Sequence, residues 1–109
     1  MNVEGIWKVE MLGPYGWEAL STAFLENGRY LSASQDHYTI GRYEVDGNSV
    51  RVVATIHSHG DTLDTSAVHE PREFGFEGQF GDGHISGQAE DSAAQQSITL
   101  RGTRLGNLA

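Results

Sequence analysis

The chain has 109 residues, 38% of them hydrophobic, with 14 glycines and no cysteine. That is the size of one domain, residues 1–109, with a core that needs no staples; a disulfide framework, thiolate chemistry and a cysteine-held zinc are excluded. Fifteen acidic against seven scattered basic residues leave a net charge of −8, which argues against a phosphate-tracking patch and so against direct binding to nucleic acid or to an anionic membrane surface.

The opening stretch, MNVEGIWKVE, carries two acidic residues and runs straight into a strand pattern, unlike a secretory or transit leader, and no apolar run approaches membrane-spanning length. The expected location is cytoplasmic. Val3, Gly5, Trp7, Val9 and Met11 alternate with mostly charged residues, so the first strand buries Trp7. Leu12-Gly13-Pro14-Tyr15-Gly16 breaks it. Trp17 to Leu25 has helix-compatible alanines and leucines, but the turn residues Glu26-Asn27-Gly28 follow directly, and Arg29 to Ala33 resumes a strand. We read strand, turn, strand.

Residues 36–60 then form the clearest element, two β-rich runs joined at Asp46-Gly47-Asn48, a turn sequence suited to a tight primed hairpin. Val50, Val52, Ala54, Ile56 and Ser58 share one face of the second arm. An even register puts Gly41, Tyr43 and Val45 on that inner face and sets Glu44 across from Arg51. The bulged alternative would turn Arg42 and Glu44 into the core, at a cost of about several kcal/mol per unpaired charge, so the even register is expected.

Residues 60–72 have no clean period and form the longest loop, a candidate lid. Phe74, Phe76, Gly78 and Phe80 alternate with polar or small residues on the next strand. Gly81-Asp82-Gly83 is a further hairpin turn, His84 to Ala89 a strand, Glu90 to Gln95 a polar turn, and Gln96 to Leu105 the last strand, with Ile98 and Leu100 inward. About eight short strands in sequential hairpins give an all-β chain, a barrel or a sandwich. An up-and-down antiparallel β-barrel is preferred, because closure removes edges that few lysines or prolines protect here. Eight strands leave an interior wide enough only for side chains or one small ligand.

Gly5-Ile6-Trp7 resembles the lipocalin Gly-x-Trp signature, in which the tryptophan closes one barrel end beneath an arginine of the last strand; Arg101 or Arg104 is placed for that role. Asn27-Gly28-Arg29, the run Asp36-His37-Tyr38-Thr39-Ile40-Gly41-Arg42-Tyr43, and Asp46-Gly47-Asn48 before a β-rich run ending in histidine resemble the negative regulators of type III secretion, the GrlR-like family. The resemblance covers most of the chain. It implies a lipocalin-like barrel, cytoplasmic and dimeric, that acts without catalysis by holding a transcriptional activator rather than by touching DNA. In that family an acidic loop in the turn of the central hairpin makes the regulatory contact. The matching turn here, Val45-Asp46-Gly47-Asn48, carries one acid instead of four, and Glu44, Asp46 and Asn48 become the candidate partner-binding residues.

Two other binding surfaces are read from the pattern. The inward set, including Trp7, Tyr43, Val52, Phe74, Phe76 and Phe80, is either a packed core or the wall of a cavity for a small apolar ligand, with Gly41, Ala54, Gly78 and Gly87 leaving room for the guest. Tyr38, Ile40 and Val53 fall on the outer face of the central hairpin, an apolar stripe that predicts a two-fold homodimer.

Catalytic signals are sparse. His57 and His59 point the same way at strand spacing with Asp61 two residues on, the one metal-like spacing in the chain, with His37 a conditional fourth member. Against this stands the frequency of exposed histidine where a strand meets a loop. Ser58 lies between two histidines without a nucleophile elbow, and Glu73 and Glu77 fall on a solvated strand face rather than forming an acid–base pair. No phosphate loop or dinucleotide fingerprint accompanies the glycines, and no cofactor is expected. A metal-dependent enzyme at His57 and His59 remains the third reading, behind a regulatory binding protein and a carrier or sensor.

Overall fold

A computed structural model describes residues 3–35, 37–58, 71–91 and 96–107. Eight strands, β1 (Gly5–Gly13), β2 (Gly16–Glu26), β3 (Arg29–Ala33), β4 (His37–Asp46), β5 (Ser49–Ser58), β6 (Arg72–Gly81), β7 (His84–Asp91) and β8 (Gln96–Gly106), pair in chain order into one closed barrel. Every pairing is antiparallel, and β8 returns to β1, so no edge is left unpaired. The up-and-down all-β barrel expected from the turn rhythm is the fold. No helix among the described residues is long and apolar enough to cross a membrane.

The hairpin turns sit where the sequence sets them. Asn27 and Gly28 both take positive φ, as do Asp82 and Gly83, the combination a type I′ hairpin requires. In the central hairpin only Gly47 is left-handed, as a type II′ turn has it, and Asp46 pairs with Ser49. The even register follows: Tyr43 faces Val52 and Glu44 faces Arg51. Glu44 is nevertheless not the residue that takes the arginine, whose guanidinium lies 2.9 Å from Glu77 on β6. Both side chains of that pair are exposed, so it contributes about 0–1 kcal/mol.

Two features of β1 and β2 differ from the sequence reading. The break placed at residues 12–16 shrinks to Pro14-Tyr15, because Gly13 still pairs with Gly16 and only two residues are needed to reverse the chain. Trp17–Leu25 is strand throughout, but its register slips between Val9↔Ser21 and Glu10↔Ala19, so that Leu20 is a bulge residue. A bulge bends the strand and resets which side chains face inward. Beyond it, Ser21, Ala23 and Leu25 line the interior. The core contains Trp7, Leu25, Tyr30, Val50, Phe76 and Leu100, all buried, with Val9, Phe74 and Ile98 packed against them.

Candidate functional site

One end of the barrel is shut by Trp7, which is 1% exposed. Its Nε1–H donates to the Val3 carbonyl at 2.9 Å, Phe80 meets its ring edge-on at 6.1 Å, and the Arg104 guanidinium stands 4.9 Å over it. Arg104 also donates to the carbonyl of Glu4 and to Asn107. Of the two arginines named for the closing contact, Arg104 makes it. Arg101 instead stacks on Trp17 at 4.0 Å and binds Glu10 at 3.0 Å on the other side of β8.

Above Trp7 lies an apolar cavity of about 50 Å³, walled by Ala23, Leu25, Val52, Phe76, Ile85 and their neighbours. Four residues, Val9, Tyr30, Phe74 and Leu100, line both it and an adjoining cavity of about 180 Å³ toward the opposite end. The second has a different character. Ser21, Ser32, Ser34, His37, Thr39 and Arg72 join Leu20 and Ile56 in its wall. Strand alternation brings these together: Tyr30, Ser32 and Ser34 succeed one another on the inner side of β3 and its continuation, Thr39 pairs with both Ser32 and Ile56, and Ile56 pairs with Arg72. The short link from β3 to β4 is closed by Ser34, whose backbone N–H donates to the His37 carbonyl at 2.9 Å.

Tyr30 stands at the boundary, 8% exposed. Burial pushes its phenol above the ordinary tyrosine range, opposed in part by a hydrogen bond from Ser32, and the group stays neutral at physiological pH. Every buried side-chain polar atom among the described residues has a hydrogen-bond partner. The interior therefore grades from apolar at Trp7 to hydroxyl- and cation-lined at the far end.

Of the six aromatic and aliphatic residues expected to wall a cavity, Trp7, Val52, Phe74 and Phe76 do so. Tyr43 and Phe80 pack against the core cluster instead. The glycines do not make the room, contrary to expectation. A Cβ at Gly41 would stand 2.3 Å from the Val53 carbonyl oxygen, and one at Gly87 2.0 Å from that of Glu77. These are points where neighbouring backbones close on each other, and the void is left by the small Ala23 and by the polar end. The Ser32, Ser34, Thr39 and Arg72 lining was missed by sequence reasoning. Its one legible signal is the alternation Tyr30-x-Ser32-x-Ser34, which resembles an ordinary solvated strand face until closure turns it inward.

His59 and Asp61 lie outside the described residues, as do the side chain of Ser58 and residues 60–70 of the loop taken as a lid, whereas Arg72, expected as that loop's last residue, opens β6. No group of three or more metal-ligating side chains occurs among the described residues. His57 stacks on Tyr38, ring centroids 4.8 Å apart and 11° from parallel, on the outer face. His37 pairs one position away and lines the interior, so it does not join His57 in one site. Glu73 and Glu77 are exposed.

On the outside, Tyr38, Ile40 and Val53 are exposed, Ile40 by 49%. Ile40 does not continue toward Val53, since its neighbour on β5 is Thr55. It continues the other way: Ile6, Phe24, Leu31 and Ile40 stand side by side across β1 to β4. Phe24 and Leu31 were not recognised in the sequence because the row they form runs across four strands, and neither strand alone shows which of its alternating sets faces outward. Glu44, Asp46 and Asn48 are exposed at the tip of the central hairpin, 46 and 48 flanking Gly47. Comparison of the chain with protein-family models, curated proteins and solved structures finds no match.

Proposed function

We propose that this is a non-catalytic binding protein whose barrel takes up one small, largely apolar molecule, as a carrier or a cytoplasmic sensor. The observation that carries this reading is the graded interior: two adjoining cavities with a shared wall, closed at Trp7 and polar at the far end. A core built only for stability gains from filling such space, at roughly 1 kcal/mol for each methyl-sized void. Ala23→Leu tests the reading. Ala23 is fully buried beside Trp7 and lines the inner cavity, so the added carbons occupy the space of the guest. Displacement titrations with an environment-sensitive apolar dye are expected to give binding by the unaltered protein and at least about a tenfold loss in the variant, with the barrel kept according to circular dichroism. Equal dye binding by both would count against a guest in the barrel.

A second reading, regulation through protein contact as the GrlR-like resemblance implies, is favoured by the outer row of Ile6, Phe24, Leu31 and Ile40. An uncharged strip on a chain of net charge −8 is where a second copy can approach with least repulsion, so we propose a two-fold homodimer through this face, with Tyr38 and Val53 at its margin. The hairpin tip with Glu44, Asp46 and Asn48 would stay available to a protein partner such as a transcriptional regulator. Ile40→Asp places a charge in the middle of the row, and sedimentation velocity is expected to find a dimer for the unaltered protein and a monomer for the variant. An unaltered dimer rules this face out.

A further inference from the structure

We infer that the guest of the barrel is a monoanionic amphiphile of the straight-chain carboxylate type, its carboxylate held by Arg72, His37 and the hydroxyls of Ser32, Ser34 and Thr39, its chain directed toward Trp7. The inference deepens the carrier reading and rests on it.

Charge distribution is the first argument. The chain has fifteen acidic and seven basic residues, yet the described residues lining the polar cavity include one arginine and one histidine and no acid. In a protein so acidic, an interior whose described lining bears cations and no carboxylate is matched to a negative guest. The long-range field of the whole protein opposes an anion, so selectivity for one has to come from short-range donors. Those are present: the guanidinium offers five N–H groups in a fixed fork suited to a carboxylate, the imidazole at least one, and each hydroxyl one more. Arg72 and His37 each already take part in a further interaction. A guanidinium has donor capacity beyond a single partner.

Geometry is the second. Arg72, Phe74 and Phe76 are successive inward residues of β6, the first lining the polar cavity, the second both cavities and the third the apolar one. Four residues of strand span about 13 Å, or roughly 10 Å along the axis of a barrel whose strands tilt by about 40°. At roughly 1.3 Å per C–C bond along an extended chain, that distance fits about eight carbons between the head and Phe76. Along this path Val9, Leu100 and Phe74, then Val52 and Phe76, present apolar side chains beside the neutral phenol of Tyr30, and a second charge on the guest would be costly to bury there.

The test is calorimetric titration of the full chain at neutral pH with octanoate, 1-octanol and octylammonium, three guests of one length and different heads. Octanoate is expected to bind at least about tenfold more tightly than octanol, with octylammonium weakest. In Arg72→Gln the preference for octanoate over octanol is expected to disappear while octanol binding stays within about twofold, and His37→Gln is expected to narrow it by several-fold. If octanol binds as tightly as octanoate to the unaltered protein, the anion site is overturned and the apolar cavity stands. Binding of none of the three overturns the carrier reading together with it. Full preference for octanoate retained in Arg72→Gln would also overturn the assignment. The comparison of heads on the unaltered protein decides the matter even where a variant does not fold.

Discussion

Trp7→Ala is expected to lower the melting temperature by about 15–30 °C, whereas Trp17→Ala lowers it by less than about 8 °C. Both residues are tryptophans under an arginine, Arg104 in one case and Arg101 in the other, so composition and cation–π pairing do not separate them. Burial does. Trp7 is 1% exposed and ties Val3, Phe80 and the chain end near Asn107 into one closure, while Trp17 is 37% exposed on the outside of β2. Truncating a fully buried tryptophan costs about 3–5 kcal/mol, part transfer and part cavity. For a domain whose whole stability is about 5–15 kcal/mol, that is a large share, and each kcal/mol shifts the midpoint of a chain this size by about 4–8 °C. Removing the exposed ring loses about 0.5–1 kcal/mol of cation–π attraction and little burial. Thermal unfolding followed by circular dichroism reads both. Equal losses would mean that Trp7 is not the plug of the barrel, and the cavity above it would then be open at both ends.

The same contrast explains how much of the molecule the sequence allows one to read. Strand order and the central register depend on local chemistry: Gly47 supplies the positive φ of the turn, and period-two alternation then fixes that Tyr43 faces Val52. Closure is a non-local event. Which of its two flanking carboxylates Arg51 chooses depends on where β6 lies, and the alternation of β5 alone contains no information about that. The bulge at Leu20 has no glycine to announce it. The polar end of the interior is hidden for a related reason. Tyr30, Ser32 and Ser34 alternate with Arg29, Leu31 and Ala33, so hydrophobicity alone does not say which set faces in, and Leu31 is in fact exposed. Only the pairing of β3 with both β2 and β4 turns the hydroxyls inward to meet Arg72 from a strand forty residues away. The outer row of Phe24, Leu31 and Ile40 is the other half of that inversion.

Gly87→Ala is expected to prevent folding at ordinary temperatures or to cost more than about 3 kcal/mol, while Gly75→Ala stabilises the barrel by about 0.5–1 kcal/mol. Gly87 faces Gly78 across β6 and β7, with Val50 beyond on one side and Leu100 on the other. A methyl at Gly87 would stand 2.0 Å from the Glu77 carbonyl oxygen and 2.5 Å from the Gly78 Cα, both backbone atoms held in ladders on either side. Relief requires moving a strand, not rotating a side chain. At Gly75 nothing lies within 4 Å of the same added carbon, so the change only removes conformational freedom from the unfolded chain. Glycine in a strand interior commonly marks a place where another backbone approaches closely, and Gly41 against Val53 and Ala54 makes a second such approach between β4 and β5. Both approaches lie between neighbouring paired strands, β6 with β7 and β4 with β5, where the absence of a side chain lets the two backbones close on each other. Chemical denaturation of the two variants separates these cases. If Gly87→Ala is as stable as Gly75→Ala, the backbones of β6 and β7 do not approach this closely at Gly87, and the fold does not depend on a glycine there.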